Sequence, residues 1–475
     1  MAIAGCSAQG SVLSPSAPLE LTEAPLVVTE SPFLLTEAPE IQATPISIFG
    51  IEGNRLTSVE ISTASETLGS RWIRRNGVPW SIIEPVEGER NWNSISELEA
   101  WLSAVSSDGF EPILIVRSTP DWAQHLPGYS CGPVKEEKIE AFGNFMHDLV
   151  ARYSRPPYNV RYWEIWNEPD ASSINMDPES VFGCWGVRGD KYYGGRYYGE
   201  VLKAIYPRIK AADPEAQVLI GGLLLDCDPN NPPIIPNDTR EIKDCTSSRF
   251  FEGVLKSGAG HSFDGVSYHA YDFYLAEMGK YGNLNWASTS EATGPSLIAK
   301  ANYIQKLLDE AHLTGKFIMN TETALLCNIP GDELTCSSPE FERTKADYLV
   351  KSYVSASQLG LNTNIWYNYF GWRNSGLVDG NRDPLPAYYA YLYASRQLGE
   401  ARYTRAVDLA EGLQAHWFTS GKRIIWVIWA ESLPVAVTLP VGLSAISDTL
   451  GNPLLPDREL VIDTSPVYVF WELEG

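Results

Sequence analysis

The chain has 475 residues, with 59 acidic and 36 basic side chains, which gives a formal net charge of −23 at pH 7. A charge this negative argues against nucleic acid and anionic membrane surfaces as partners. Hydrophobic residues make up 44% and charged residues 20%, as in globular proteins, and the length favours one large domain with a smaller one.

The N-terminal segment is similar to the end of a bacterial lipoprotein signal, in which small residues precede a Cys that becomes lipidated. Residues 1–6 read Met-Ala-Ile-Ala-Gly-Cys, so Cys6 is the predicted lipid anchor and the only predicted link to a membrane. The charged start and apolar core of such a signal are missing, so either the signal has been trimmed or the match is accidental. From Ser7 to Thr44 the chain is rich in Pro, Ser, Thr and Glu, which predicts an extended tether or a disordered tail without a task.

The remaining cysteines lie in loop-like sequence and are even in number, which predicts disulfide bonds. Fifteen pairings are possible in principle. The short separations favour local bridges and leave one longer bridge, giving Cys227 with Cys245, Cys327 with Cys336, and Cys131 with Cys184. A zinc site is the alternative, but there is no Cys-x-x-Cys pair and no histidine at ligand spacing, so no metal is expected. Oxidised cysteines agree with an exported protein, either at the cell surface, in the periplasm or secreted.

Short apolar segments of strand type alternate with amphipathic helical stretches from about Pro45 to Leu398. The predicted strands are Ile46 to Ile51, Ser70 to Arg75, Glu111 to Arg117, Val160 to Trp166, Gln217 to Leu223, Gly265 to His269, Lys316 to Thr321 and Asn364 to Tyr369. The predicted outer helices include Glu136 to Ala151, Tyr197 to Ala212, Ser296 to Glu310, Arg343 to Leu359 and Tyr388 to Arg396. This pattern favours a (β/α)8 TIM barrel over an open doubly wound sheet, since no Gly-x-Gly-x-x-Gly turn opens a helix.

The pattern changes to alternating strands after the last predicted barrel helix. These strands are Leu413 to Thr419, Arg423 to Trp429, Val435 to Leu439, Glu459 to Ile462 and Val467 to Trp471. The expected organisation is therefore a tether over 1–44, a catalytic barrel over 45–398 and a small antiparallel β-sandwich domain over 399–475. That last domain either packs against the barrel helices as a stabiliser or binds glycan independently.

Two carboxylates end predicted strands of the barrel. Glu168 follows Asn167 and precedes Pro169 at the end of the fourth strand, and Glu322 ends the seventh. Residues at the carboxyl ends of barrel strands point into the catalytic bowl, and the fourth and seventh strands lie across it from each other. Two carboxylates facing each other across a sugar-sized gap are what glycosidic cleavage requires.

These residues resemble glycoside hydrolase clan A, the retaining TIM-barrel glycosidases, and most closely its families 39 and 5. The resemblance covers most of the chain from about Pro45 onward. Further matching segments are Trp72-Ile73-Arg74, Thr119-Pro120-Asp121-Trp122-Ala123, Ser267-Tyr268-His269-Ala270-Tyr271 and Trp366.

The resemblance implies that Glu168 is the general acid and base and that Glu322 is the nucleophile. Elementary electrostatics supports the same division of roles. Ionising both of two carboxyl groups about 5 Å apart costs free energy because their negative charges repel, so one of them keeps a proton. The resemblance also implies other roles: Asn167 bonds the 2-hydroxyl of the sugar, Tyr271 and Arg74 keep the nucleophile ionised, His269 bonds a sugar hydroxyl, and Trp366 and Trp122 contact the sugar.

Each assignment has a structural alternative. Glu168 and Glu322 could be partners in ion pairs, and His269 and Arg74 could serve the core alone. Glu164, four residues before Glu168 on the same strand, is predicted to be a buried partner of Arg74 or Arg117. For Trp122, as for other loop tryptophans, stacking on sugar and packing under a loop are equally plausible.

The predicted function is hydrolysis of β-glycosidic bonds in oligo- or polysaccharides by double displacement, without a cofactor. Two alternatives stay open: a surface glycan-binding lipoprotein without turnover, and a transglycosylase on the same scaffold. The sequence does not fix the sugar, the linkage, or exo against endo action, because these depend on side-chain placement in the bowl.

Overall fold

The computed structural model describes residues 47–171, 177, 180, 182–235, 241–327, 336 and 338–472. Cys6 and the predicted tether lie outside the described residues. Residues 43–475 cluster as one compact unit. Among the described helices, none combines the length and the apolar character that crossing a lipid bilayer requires.

A closed barrel of eight parallel strands occupies most of the chain. In chain order the strands of this part are β1 (Phe49–Glu52), β2 (Trp72–Pro79), β3 (Glu111–Arg117), β4 (Tyr162–Asn167), β5 (Gln217–Leu223), β6 (Gly265–Tyr274), β7 (Tyr281–Asn283), β8 (Ser288–Thr289), β9 (Phe317–Cys327) and β10 (Asn364–Trp366). The barrel order is β5-β4-β3-β2-β1-β10-β9-β6, and pairing of β5 with β6 closes it. The predicted TIM barrel is thus confirmed, while β7 and β8 form a small antiparallel addition beside β6.

Helices surround the barrel. They are α1 (Ser58–Ser62), α2 (Trp80–Ile83), α3 (Ser96–Ser107), α4 (Ile139–Tyr153), α5 (Gly195–Ala212), α6 (Phe250–Lys256), α7 (Ser296–Glu310), α8 (Pro339–Gln358) and α9 (Pro386–Leu398). The helix α3 was not predicted, although Leu98, Trp101, Leu102 and Val105 give it one buried face. This three- and four-residue spacing is the signal of an amphipathic helix.

Alternation along the strands separates an inner from an outer apolar layer. Six residues from six different barrel strands form a separate buried cluster inside the barrel: Trp72, Ile113, Tyr162, Leu219, Met319 and Ile365. Neighbours such as Ile73 and Leu114 belong instead to the larger core shared with the helices. Because successive side chains of a strand point to opposite faces, this inner cluster fixes which residues point into the barrel.

The strands β6 and β9 are longer than predicted. They remain paired as far as Tyr274 and Cys327, beyond the predicted ends at His269 and Thr321. The polar and aromatic residues in these extensions resemble loop sequence, but they are strand residues that rise above the barrel as one wall of the bowl. The strands predicted at Glu111 to Arg117 and Gln217 to Leu223 are confirmed at both ends.

The C-terminal region is a small antiparallel β domain, as predicted. Its strands are β11 (Arg402–Ala406), β12 (Leu413–Ser420), β13 (Arg423–Ala430), β14 (Val435–Thr438), β15 (Leu443–Ser447), β16 (Pro453–Leu454), β17 (Glu459–Ile462) and β18 (Val467–Glu472). They form a six-stranded sheet and a two-stranded sheet. Buried Asp347 of α8 accepts hydrogen bonds from the hydroxyls of Thr449 (2.8 Å) and Ser465 (2.7 Å), so the domain packs on the barrel helices.

Three disulfide bonds join Cys131 to Cys184, Cys227 to Cys245 and Cys327 to Cys336. This is the pairing that the spacing favours. The first bond ties the loop after β3 to the loop after β4, where Nε1 of Trp166 also donates to the carbonyl of Cys131 (3.0 Å). Oxidised loops at the barrel mouth fit an extracellular or periplasmic protein.

Removal of the first disulfide is expected to cost more stability than removal of the second, because it closes 53 residues rather than 18. Loop-closure entropy gives about 4 kcal/mol for the pair Cys131→Ala with Cys184→Ala, and about 3 kcal/mol for Cys227→Ala with Cys245→Ala. Urea unfolding followed by tryptophan fluorescence measures both. An equal or reversed order would show that native contacts, not chain entropy, dominate.

Candidate active site

The regular alternation of inward and outward side chains is interrupted near the end of β4. Glu164 points into the barrel, yet Asn167, three residues later, does so too, because Trp166 has a φ of 72° and interrupts the alternation. Its indole faces the outer core, where it packs at 6.2 Å against Phe142. Glu168, with a φ of 47°, then turns the chain out of the strand. Positive φ at two non-glycine residues is uncommon and marks a constrained rim.

Glu168 and Glu322 meet across the bowl. A carboxylate oxygen of each and a ring nitrogen of His269 all lie within 4.8 Å of one another. His269 Nδ1 is 2.7 Å from Oε1 of Glu168 and 3.5 Å from Oε2 of Glu322. Both carboxylates are less than one-tenth exposed. Oxygens no more than 4.8 Å apart are close to the spacing of about 5 Å that the retaining geometry requires.

Arg74 joins the site from below. Its Nη1 donates to Oε1 of Glu322 (2.6 Å), and its Nη2 donates to Oδ1 of Asn167 (2.6 Å). Its Nε and Nη2 also donate to Glu164, at 2.7 and 3.2 Å. The guanidinium is fully buried, and its fork holds three side chains from β4 and β9 in fixed positions. Since Arg74 engages the Asn167 oxygen, the amide Nδ2 is the group left for a ligand.

The surroundings of Glu168 and Glu322 act unequally on the pKa values of the two carboxyl groups. Burial raises the pKa of Glu168 well above its ordinary value, and the charges of Glu322 and Asp170 raise it further. Burial also raises the pKa of Glu322, but Arg74 and the hydroxyl of Tyr271, which donates to Oε2, oppose that increase. We therefore expect the shared proton on Glu168, with Glu322 ionised, although the two groups titrate as a pair.

The same three side chains are close enough to hold a metal ion, since Glu168, His269 and Glu322 each offer a ligand atom. Two observations favour proton chemistry instead. Both oxygens of Glu322 already accept hydrogen bonds, from Arg74 and from Tyr271. The Arg74 cation also lies 2.6 Å from Glu322, where it would repel a second cation.

Two of the predicted sugar contacts are not supported. Trp366 is fully buried, because Ile365 takes the inward position on β10 and turns the indole towards α8, where Tyr348 lies 6.3 Å away. The prediction that Trp366 forms a sugar platform is therefore wrong. His269 is also fully buried, with Nδ1 on Glu168 and the opposite edge against Gly222, where an added Cβ would collide with Nε2. It contacts the acid rather than open space.

Trp122 and Glu164 are both held by hydrogen bonds to neighbouring protein groups. Trp122 is partly buried, with Nε1 on the carbonyl of Glu84 (2.9 Å) and the ammonium of Lys138 at 5.6 Å from its ring. Glu164 is the buried partner of Arg74, one of the two partners predicted for it. Its Oε1 also accepts hydrogen bonds from the hydroxyl of Ser267 (2.9 Å) and from the backbone N–H of Gly222.

Tyr367 and Glu52 were missed by sequence reasoning, whereas Trp372 is one of the loop tryptophans predicted to face the bowl, where stacking on sugar and packing under a loop were equally plausible. Tyr367 and Trp372 follow β10 and stand edge-on to Tyr271, with ring centroids 6.1 and 5.9 Å away. Trp372 is 47% exposed, which makes it the open aromatic face that Trp366 does not provide. Glu52 ends β1 and has a pKa raised to about 8 by burial. No local motif marks these positions, but comparing the last residue of every strand would have found Glu52.

Lys300 of α7 supports the acid from behind the barrel wall. Its Nζ donates to the carbonyl oxygens of His269 and Leu224, at 2.7 Å each, so it ties α7 to β6 and to the segment after β5. Burial lowers the pKa of Lys300 to about 8. Its charge also opposes the rise in the pKa of Glu168. Lys300 is therefore a positioning residue for the acid.

We expect Tyr271→Phe to move the acidic limb of the kcat/KM profile to higher pH. The hydroxyl of Tyr271 donates to Glu322 and lowers the pKa of that carboxyl, so its loss lets Glu322 protonate at higher pH. A hydrogen bond to a charged group corresponds to a loss of roughly 10- to 100-fold in kcat/KM. Tyr206→Phe is the matched control, because Tyr206 donates to Asp264 on the outer surface (2.9 Å). If the acidic limb of the Tyr271→Phe profile does not move, Tyr271 does not lower the pKa of Glu322.

No protein-family model and no curated protein matches this sequence. Solved structures do match in fold. A family 39 glycoside hydrolase from Bacteroides cellulosilyticus WH2 superposes with a TM-score of 0.65 at 17% identity, covering 91% of this chain and 81% of that one. A family 30 subfamily 8 xylanase from Clostridium acetobutylicum gives 0.57 at 12% identity, covering 90% and 96%. An α-L-arabinofuranosidase from Thermotoga maritima gives 0.54 at 14%, covering 91% and 98%. The chain has the fold of these glycosidases.

Proposed function

We propose that this protein is a retaining β-glycoside hydrolase acting on oligo- or polysaccharides. The observation that carries the proposal is the pair Glu168 and Glu322, with carboxylate oxygens within 4.8 Å and opposite expected protonation. The fold that the chain shares with glycosidases adds support. Because the shared proton sits on the acid and Arg74 holds the other carboxylate ionised, the pair is ready for acid-assisted attack.

The reaction proceeds in two displacements. The ionised Glu322 attacks the anomeric carbon while Glu168 donates its proton to the leaving oxygen, which gives a covalent glycosyl ester and the free aglycon. Ester formation removes the charge of Glu322, so the pKa of Glu168 falls. The ionised Glu168 then takes a proton from water, and the water oxygen attacks the same carbon and frees Glu322. Asn167 Nδ2 is positioned to donate to the 2-hydroxyl.

The test is the configuration of the first product. Activated aryl β-glycosides and long-chain polysaccharides are offered to the wild type, and the anomeric protons are followed by NMR before mutarotation. We expect the β-anomer to form first. An α-anomer formed first would contradict double displacement and require a different spacing of the carboxylates.

The same assay separates the alternatives. A non-catalytic glycan-binding lipoprotein would bind polysaccharide and cleave neither the aryl glycosides nor the long chains. A transglycosylase would pass the sugar to an added acceptor in preference to water. The raised pKa of Glu168 favours an enzyme over a binder, because a binding site has no use for a proton held beside a nucleophile.

Export and anchoring belong to the same proposal. Three disulfide bonds favour an oxidising compartment, where extracellular polysaccharide is met. Lipidation of Cys6, which lies outside the described residues, would then hold the enzyme at a membrane surface.

A further inference from the structure

Besides Arg74, the barrel strand next to β4 carries an arginine at its carboxyl end. Arg117 is the last residue of β3, the strand beside the one that carries Glu168. Ile113, four residues earlier, belongs to the cluster inside the barrel, and Ile115 pairs in register with Glu164, whose side chain points inward. Side chains alternate along a strand, so Arg117 lies on the same inner face, at the rim. Leu114 and Val116 between them belong to the outer core.

Arg117 has no side-chain partner among the residues that the structure describes. Its Nε is buried and donates to no acceptor, and no described carboxylate lies within ion-pair distance of its guanidinium. Glu164, the one acid on the adjacent strand that could have paired with it, is taken by Arg74. A partly buried guanidinium without a counter-ion is costly, and this chain has 59 acidic residues from which a partner could have come.

The neighbouring strands carry further unsatisfied groups. Oε2 of Glu52 on β1 and Oδ1 of Asn76 on β2 are buried without a hydrogen-bond partner. Glu52 and Asn76 are joined through Asn54, whose N–H donates to Oε1 of Glu52 (3.0 Å) and whose Oδ1 accepts from the N–H of Asn76 (2.9 Å). In the strand register Asn76 aligns with Ile115, two residues below Arg117 on its inner face. Glu52 lies deeper, level with Arg74, and its Oε2 is 3.9 Å from Nη1 of that arginine. Buried polar atoms left unpaired in a bowl are the groups that a ligand would satisfy.

The chemistry of the unpaired Arg117 guanidinium indicates its ligand. A guanidinium presents a planar fork of donors that matches a carboxylate, and such charge-assisted pairs are the strong ones in proteins. Burial raises the pKa of Glu52 to about 8, so at neutral pH this residue is a neutral hydrogen-bonding group rather than a competing anion. Arg117 is thus free to meet an anion brought by the substrate.

We propose that Arg117 binds the carboxylate of the sugar held beside Glu168 and Glu322, so that the substrate is a uronic acid glycoside. This inference rests on the proposed glycosidase function and specifies its substrate class. Asn76, whose Oδ1 has no hydrogen-bond partner among the described residues, accepts a hydrogen bond from a ring hydroxyl of the same sugar. A neutral sugar with a hydroxymethyl group at that position leaves the Arg117 charge without a counter-ion.

The test uses substrate pairs that differ only in this group: 4-nitrophenyl β-glucoside with β-glucuronide, and β-galactoside with β-galacturonide. We expect one uronide to exceed its neutral partner at least about 10-fold in kcat/KM, with the advantage falling as NaCl rises. Arg117→Met is expected to lower kcat/KM for the uronide about 100-fold and to change the neutral partner less than about threefold. Arg117→Lys, which keeps the charge but not the fork, is expected to fall between them.

The matched control is Arg75→Met. Arg75 lies on β2 with the opposite facing, 4.8 Å above the ring of Trp101 on the helical side. A wild type that prefers the neutral glycosides, or an Arg117→Met variant that loses activity equally on both, would overturn the inference and leave the hydrolase intact.

If none of the four substrates is cleaved, titration calorimetry with galacturonate and xylose oligosaccharides of equal length decides the question. Uronide binding that Arg117→Met abolishes would uphold the inference even if the proposed hydrolysis failed. Equal binding of both oligosaccharides, or binding of neither, would overturn it. Circular dichroism of each variant establishes that folding is unchanged.

Discussion

The Glu322→Gly variant is expected to lose at least about 10⁴-fold in kcat on every β-glycoside, and to regain turnover with azide on substrates with good leaving groups. Removal of the side chain opens a small cavity between Arg74 and Tyr271, both of which contact Glu322. Azide fits such a space and attacks the anomeric carbon from the face that Glu322 would use. Because no second displacement follows, the product is the α-glycosyl azide.

The configuration of that product makes the prediction decisive. NMR of the isolated azide identifies the nucleophile and, from the substrate accepted, the sugar. Glu200→Gly is the control for loss of a glutamate, since Glu200 is 52% exposed on α5 and pairs with Lys203 of the same helix. If the Glu322→Gly variant keeps wild-type turnover, Glu322 is not the nucleophile.

The Glu168→Ala variant is expected to show a loss that depends on the leaving group. Poor leaving groups need protonation in the first step, so their kcat/KM is expected to fall roughly 10²- to 10⁴-fold. Activated aryl glycosides need little protonation, and for them the second step becomes limiting, so the covalent ester on Glu322 accumulates. Azide attacks that ester and gives the β-glycosyl azide, the opposite product to that from Glu322→Gly.

The pH profile gives an independent readout of the same residue. In the wild type, activity falls at high pH as Glu168 loses its proton, and burial places that limb above the ordinary pKa of a carboxyl group. The limb is expected to vanish in Glu168→Ala. Equal losses for good and poor leaving groups, with the limb unmoved, would assign the proton to another group.

Much of the barrel could be predicted because its signals are local. Strands such as β3 and β5 are buried on both faces and therefore form short apolar segments with sharp ends. The carboxylates Glu168 and Glu322 could also be assigned to the bowl, since every strand end of a TIM barrel lies on one rim. The order of strands alone thus brings together residues that are far apart in sequence.

The features that the sequence did not predict depend on the direction in which a side chain points from its strand and on the register between strands. Trp366 was assigned to the bowl, but alternation from Ile365 turns it outward, and a three-residue strand gives no pattern from which to read this. His269 was expected on sugar, whereas its ring contacts Glu168 because Gly222 on the adjacent strand leaves space for it. Such choices arise from packing between strands, which a single sequence does not display.

The fork of Arg74 has a consequence for how this protein can diverge in evolution. One side chain holds the nucleophile, Asn167 and Glu164 together, so a substitution there disturbs three positions at once and needs simultaneous compensation on two other strands. Arg117 has no side-chain partner among the described residues, so its position can change singly. Descendants of this chain are therefore expected to keep the catalytic groups while their substrate preference changes at Arg117.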